Sequence, residues 1–174
     1  TQAAKQVVEQ VVDSMVVEGE ELLAESEGMA HNPSVLLKPG VPVFGEIKPT
    51  VRKPDTQYSF YRVDVPKRAI PVGLLITVKA VQGDPDVYVC NRNKQPQQMP
   101  HEHTWKSQHA GDDAIFIPPH DELFKASVPG EFYIGVFSLK DASFEVCAEL
   151  IEQTVRVRPP MPSEGNGYRE VRTH

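Results

Sequence analysis

Residues 73–81, GLLITVKAV, and 142–151, ASFEVCAELI, decide the fold class of this chain. In the first, Leu74, Ile76, Val78 and Ala80 alternate with Leu75, Thr77, Lys79 and Val81. In the second, Phe144, Val146, Ala148 and Leu150 alternate with Ser143, Glu145, Cys147 and Glu149. Successive side chains of a strand point to opposite faces, so a period of two with one apolar phase marks antiparallel strands packed on one side. Working outward, 43–48, 57–65, 86–90, 113–117, 123–127, 131–138 and 153–158 also read as short strands, nearly all separated by turn residues. The pattern predicts an all-β antiparallel sandwich over 43–158.

A chain of 174 residues is long enough for one hydrophobic core with extensions. Its 16 prolines and 11 glycines favour turns over long helices. Upstream of the strands the period changes. From Ala4 to Leu23, residues including Val8, Val12, Met15 and Leu22 fall on one face at 3.6 residues per turn, which predicts an amphipathic helix within 1–28. Its valines and Gly19 weaken it in isolation, so it needs a surface to pack on: its own domain, a neighbouring domain, or a second copy. Residues 29–42 contain three prolines and read as a linker or irregular edge segment, and 159–174 as a flexible tail or linker. Such ends are those expected of a module cut from a larger, multidomain protein. No targeting leader is visible in 1–28, and the compartment is not legible there.

Charge is unevenly placed. Residues 1–28 hold Lys5 against seven acids and so carry the whole net charge of −6, while the remainder balances. A balanced globular part argues against nucleic-acid or anionic-lipid partners, and no apolar run is long enough for membrane insertion.

Three groups of residues bear on chemistry. Gly83-Asp84-Pro85-Asp86 is a turn builder, in which Gly83 permits positive φ, Pro85 fixes φ, and a carboxylate accepts local backbone N–H groups. The polar loop 91–112 contains His101, His103 and His109, followed by Asp112 and Asp113, with His120 and Asp121 beyond. The HxH pair would suit zinc or copper, and the aspartates, with Asp84 and Asp86, calcium; without a third ligand at a characteristic spacing, the same residues read as a solvated loop. Trp105 with Tyr88, if exposed, would form an anchor for protein or glycan; otherwise Trp105 covers the core. Catalysis finds little support: no GxSxG, P-loop, HExxH or dinucleotide motif occurs, and Cys90 with His101 or His103 is the only nearby thiol–imidazole pair. The expectation is a protein that is not an enzyme and requires no cofactor. Cys90 and Cys147 are too few for a disulfide framework; both fall on the phase opposite the inward residues, and bonding them would require close Cα atoms.

The segment GDPDVYV at 83–89 resembles the "GDPDLYV" strand–turn–strand of bacterial pre-peptidase C-terminal domains. Tyr58-x-Phe60-x-x-Val63, Thr104-Trp105-x-Ser107, Asp113-x-Ile115 and Gly130-x-Phe132-Tyr133-Ile134-Gly135-Val136 resemble further pieces of the same domain. The resemblance spans about 43–151. It implies a jelly-roll-like sandwich of about eight strands, appended to extracellular enzymes and without an active site of its own. Collagen-binding domains similar to this group hold calcium through acids of an N-terminal linker; here the acids of 20–27 follow a helical pattern instead. Together these readings predict a non-catalytic binding or targeting module that engages protein or glycan. The alternatives are an intracellular scaffold that self-associates through its helix and a calcium- or zinc-dependent adhesion module.

Overall fold

The computed structural model describes residues 33–153. The helix expected within 1–28, with Val8, Val12, Met15 and Leu22, the strand expected over 153–158 and the tail 159–174 lie outside the described residues, apart from Gln153.

Among the described residues nine strands follow in order: β1 Val35–Leu36, β2 Val43–Ile47, β3 Tyr58–Val65, β4 Val72–Gln82, β5 Asp86–Cys90, β6 Trp105–Ser107, β7 Asp113–Ile117, β8 Gly130–Phe137 and β9 Ala142–Glu152. A short helix, α1 Glu122–Ala126, lies between β7 and β8, and a 3-10 turn, Pro54–Gln57, precedes β3. One sheet has the order β1-β3-β8-β5-β6 and the other β2-β9-β4-β7. The pairing is nested: β2 with β9, β3 with β8, β4 with β7 and β5 with β6, all antiparallel.

The period-two reading places the core. Leu74, Ile76 and Val78 of β4 and Phe144, Val146 and Ala148 of β9 face Val63, Val65, Val87, Val89, Phe132, Ile134 and Val136 of the opposing sheet, all buried in one cluster. Each large apolar side chain so buried contributes about 1.5–3 kcal/mol. Gly45 of β2 makes room for this packing, since a Cβ there would overlap the Tyr61 hydroxyl and come within 2.6 Å of the Phe144 ring.

Three expectations are corrected. Residues 123–127 form helix rather than strand: Asp121 caps α1 by accepting the Phe124 N–H on Oδ1 at 3.0 Å, and only Phe124 turns into the core. Of the two readings of 29–42, the described part agrees with the edge segment: Val35–Leu36 pairs with β3 at the edge of the five-stranded sheet, and Leu37 is 1% exposed within the core. That β1–β3 pair is parallel, so the sheets are not wholly antiparallel. Trp105–Ser107 is a strand, not part of the loop, and pairs with Val87–Val89 of β5.

The outer face of the five-stranded sheet is also apolar. Tyr58, Phe60, Tyr88 and Phe137 form a second buried cluster there, and the loop after β5 folds back to cover it. The Tyr58 hydroxyl accepts the Gln98 N–H at 3.2 Å, His103 lies over the Tyr88 ring with centroids 5.0 Å apart, and Pro96 is buried. Gly135 permits this seat, because any Cβ on it would overlap the Pro96 carbonyl oxygen. Gly135→Ala is therefore expected to cost about 1–3 kcal/mol, read as a lower urea midpoint with faster hydrogen exchange across 91–104. An unchanged midpoint and unchanged exchange would contradict the seated loop.

Candidate functional site

Of the aspartates and histidines picked out in the sequence, Asp84, Asp86, His109, Asp112 and Asp113 lie near the corner where β4 turns into β5 and β6 passes to β7, whereas His120 and Asp121 lie at the opposite end. Asp84 Oδ1 accepts the Gly111 N–H at 2.7 Å, and Asp112 Oδ1 accepts the Ala80 N–H at 2.9 Å beside the bulge in β4. The Asp84 bond reaches a distant loop rather than its own turn, contrary to the local capping expected. Gly83 takes φ +78°, and a Cβ there would approach the Asp141 carbonyl oxygen to 2.6 Å. Asp113, 3% exposed, accepts on Oδ1 from the Ser107 hydroxyl and, at 2.9 Å, from the His109 N–H, so it ties β6 of one sheet to β7 of the other. Its second oxygen is buried without a hydrogen-bond partner. Burial, then the charges of Asp113 and Asp84, push the Asp86 carboxyl up to about 6.

The histidines do not converge. His103 Nδ1 lies 2.8 Å from the Gln97 carbonyl oxygen, His109 Nδ1 lies 3.2 Å from Asp113 Oδ1, and His101 is exposed. Among the described residues no three His, Cys, Asp or Glu side chains come together as a metal would require. These loops lock the corner and the outer aromatic layer through ordinary hydrogen bonds.

Tyr88 and Trp105 form no exposed pair. Tyr88 is fully buried, with its hydroxyl accepting from Gln108 Nε2 at 2.6 Å. Trp105 packs half-buried against the core, its ring centroid 6.1 Å from that of Phe132 and its Nε1–H directed at Asp121 Oδ2 at 3.4 Å. Cys90 and Cys147 are free and buried, and their phases place them on the outer faces of opposite sheets, which rules out the bond between them. Cys90 does possess a device that lowers its pKa. Burial pushes the thiol up, but hydrogen bonds from the Asn93, Arg92 and Asn91 backbone and the Thr104 hydroxyl together outweigh it. The Asn93 N–H lies 3.3 Å from the sulfur and Thr104 Oγ1 3.5 Å from it, and neither neighbour is an imidazole.

A concave feature lies at the other end of the sandwich. A groove of about 500 Å³ opens between the β3–β4 loop, the Pro119–His120 turn, α1 and the end of β9. Phe124, Val72, Val128, Pro66, Pro71 and Pro119 give it apolar walls, while Lys67, Arg68, His120 and Lys125 are exposed at its rim, and among the described residues no carboxylate lines it. Arg68 has a neighbour in Glu152 at 3.9 Å, but both are about half exposed, and such pairs are weak. A pocket of this size and lining suits a small amphipathic ligand or the apolar anchors of a docked helix. The sequence reading missed it, although its rim is written in VPKRAIP at 65–71 and PPH at 118–120.

No protein-family model matches the chain, and no curated protein does. Among solved structures the chain is similar to the pre-peptidase C-terminal domain of a collagenase from Bacillus anthracis, at 10% identity and a TM-score of 0.44, covering 67% of this chain and 95% of that one. That domain belongs to the family whose motifs the sequence resembles. The chain is also similar to PliG of Aeromonas hydrophila, a periplasmic inhibitor of g-type lysozyme, at 12% identity and a TM-score of 0.37, with coverage of 67% and 95%. A third similar structure is the Tobacco streak virus coat protein, at 13% identity and a TM-score of 0.29, with coverage of 73% and 94%. The two-sheet sandwich itself rests on the strand pairing described above.

Two consequences of the aspartate corner are measurable. Asp113→Ala strips the Ser107 hydroxyl and the His109 N–H of their acceptor and is expected to cost about 1–3 kcal/mol in urea unfolding; no loss would contradict its role as a tie. Asp86 holds its proton more tightly when folded, so its contribution is fully present below the unfolded value near 4 and is lost as pH rises through about 6. Asp86→Asn should flatten the fall in melting temperature across that window, whereas an unchanged slope would assign it to other groups.

Proposed function

We propose that this chain is a non-catalytic β-sandwich module of a larger protein that binds a protein partner through the groove at the 66–71 end. The observation that carries the reading is the groove itself, with apolar walls formed around Phe124 and a rim of Lys67, Arg68, His120 and Lys125. That combination favours an amphipathic acidic peptide, whose apolar side chains displace water from the walls while its carboxylates meet the cations. A protein partner is favoured over a glycan because Trp105 and Tyr88, the aromatic rings expected to form a platform, are turned into the protein. The nested strand pairing supports a jelly-roll arrangement, and the motifs shared with pre-peptidase C-terminal domains support a supporting or targeting role rather than chemistry.

The test is a titration of the full chain with acidic amphipathic helical peptides and, separately, with neutral oligosaccharides. Peptide binding is expected, and Lys67→Glu together with Lys125→Glu should weaken it by roughly tenfold or more, about 1.4 kcal/mol, with no change in melting temperature. Peptide affinity indifferent to the double reversal, or binding of oligosaccharide alone, would contradict the reading.

A further inference from the structure

We propose that the groove of one copy receives the opposite end of a second copy of this chain, with Leu139 and Val81 as apolar anchors, so that copies associate head to tail. The inference rests on the groove being a binding surface and names its partner.

The groove calls for apolar side chains flanked by carboxylates, and the far end of the sandwich presents that combination. Leu139, in the β8–β9 turn, is 71% exposed, and Val81, at the irregularity in β4, is 65% exposed. The turn is pinned on either side of Leu139: the Ser138 hydroxyl donates to the Lys140 carbonyl oxygen at 2.7 Å and accepts the Lys140 N–H at 3.4 Å. The two anchors belong to one surface. A Cβ on Gly83 would come within 2.6 Å of the Asp141 carbonyl oxygen, so the β4–β5 turn is seated against the β8–β9 turn.

Charge supports the same partner. Asp84, Asp112 and Asp141 are exposed in the turns 81–86, 108–113 and 138–141, where Lys140 is the one lysine or arginine. The bases Lys48, Arg52 and Lys53 at that end lie on the connection leaving β2, at the far edge of the sheet from β7. The groove presents Lys67, Arg68, His120 and Lys125, and among the described residues no carboxylate lines it. Opposite potentials of this kind draw two surfaces together and orient them.

Distance makes the partner a second copy. Val72 is in the groove wall and Gln82 is at the far corner, and the 11 residues of β4 hold them ~33 Å apart. One chain cannot bring its own corner to its own groove. The contact joins two different surfaces, so each added copy leaves a free groove at one end and a free corner at the other, and association continues in one direction.

The experiment measures the mass of the full chain by sedimentation as its concentration rises to about 1 mM, where even a millimolar dissociation constant gives measurable association. The parent is compared with Leu139→Asp and with Lys67→Glu together with Lys125→Glu. The parent is expected to grow past dimer, and each variant to stay monomeric with an unchanged melting temperature. An equimolar mixture of the two variants should stop at dimer, because it offers one intact groove to one intact corner. A monomeric parent whose groove still binds an acidic amphipathic helical peptide would overturn head-to-tail association and leave the groove as a binding surface. A parent that stops at dimer, variants that associate as the parent does, or a mixture that stays monomeric would also overturn it. A monomeric parent that binds no such peptide would overturn both readings.

Discussion

β4 and β9 lie side by side from Val72↔Glu152 to Gln82↔Ser143, and the register of that pair governs the rest of the molecule. Because side chains alternate strictly, fixing this register sends Leu74, Ile76, Val78, Phe144, Val146 and Ala148 to one face together; a one-residue slip would expose them all. The two ends of the pair define the two distinctive regions. At one end, the irregularity between Ala80 and Gln82 leaves the Ala80 N–H to the Asp112 carboxylate, and the aspartate corner grows around it. At the other, Val72 and the residue after Glu152 help to frame the groove.

The opposing sheet is packed on both faces, which explains why the long polar loop has structure. Tyr58, Phe60, Tyr88 and Phe137 would otherwise form an exposed aromatic patch, and the 91–104 loop covers them using Pro96 and His103. The loop's own polar groups are satisfied within it: Asn93 donates through Nδ2 to the carbonyls of Gln95 and Glu102 and accepts the Gln95 N–H. His103 and Asn93 thus serve to hold this loop over the sheet.

Much of the fold is legible in the sequence because period-two burial is a local signal. The strands around Ile76, Val87, Ile134 and Val146 were readable from their neighbours alone. The LFKAS segment was misread because one apolar residue facing the core, Phe124, looks the same in a single helical turn as in a short strand, and the Asp121 cap decides between them. Val35–Leu36 was hidden because a two-residue pairing has no period. The groove was illegible for a different reason: Pro66, Pro119, Phe124 and Gln153 come from four separate stretches, and only the topology assembles them. Tyr88 lies on the outer phase of β5, as its position implies, yet the covering loop makes it buried rather than available.

The groove is the binding surface proposed for this module. The most direct measurement is the set of methyl and aromatic shift changes in the labelled full chain on titration with an acidic amphipathic peptide. Changes centred on Val72, Phe124 and Val128, and lost when Lys67 and Lys125 are both changed to Glu, are predicted. Changes confined to other surfaces, or indifferent to that double reversal, would contradict the proposal.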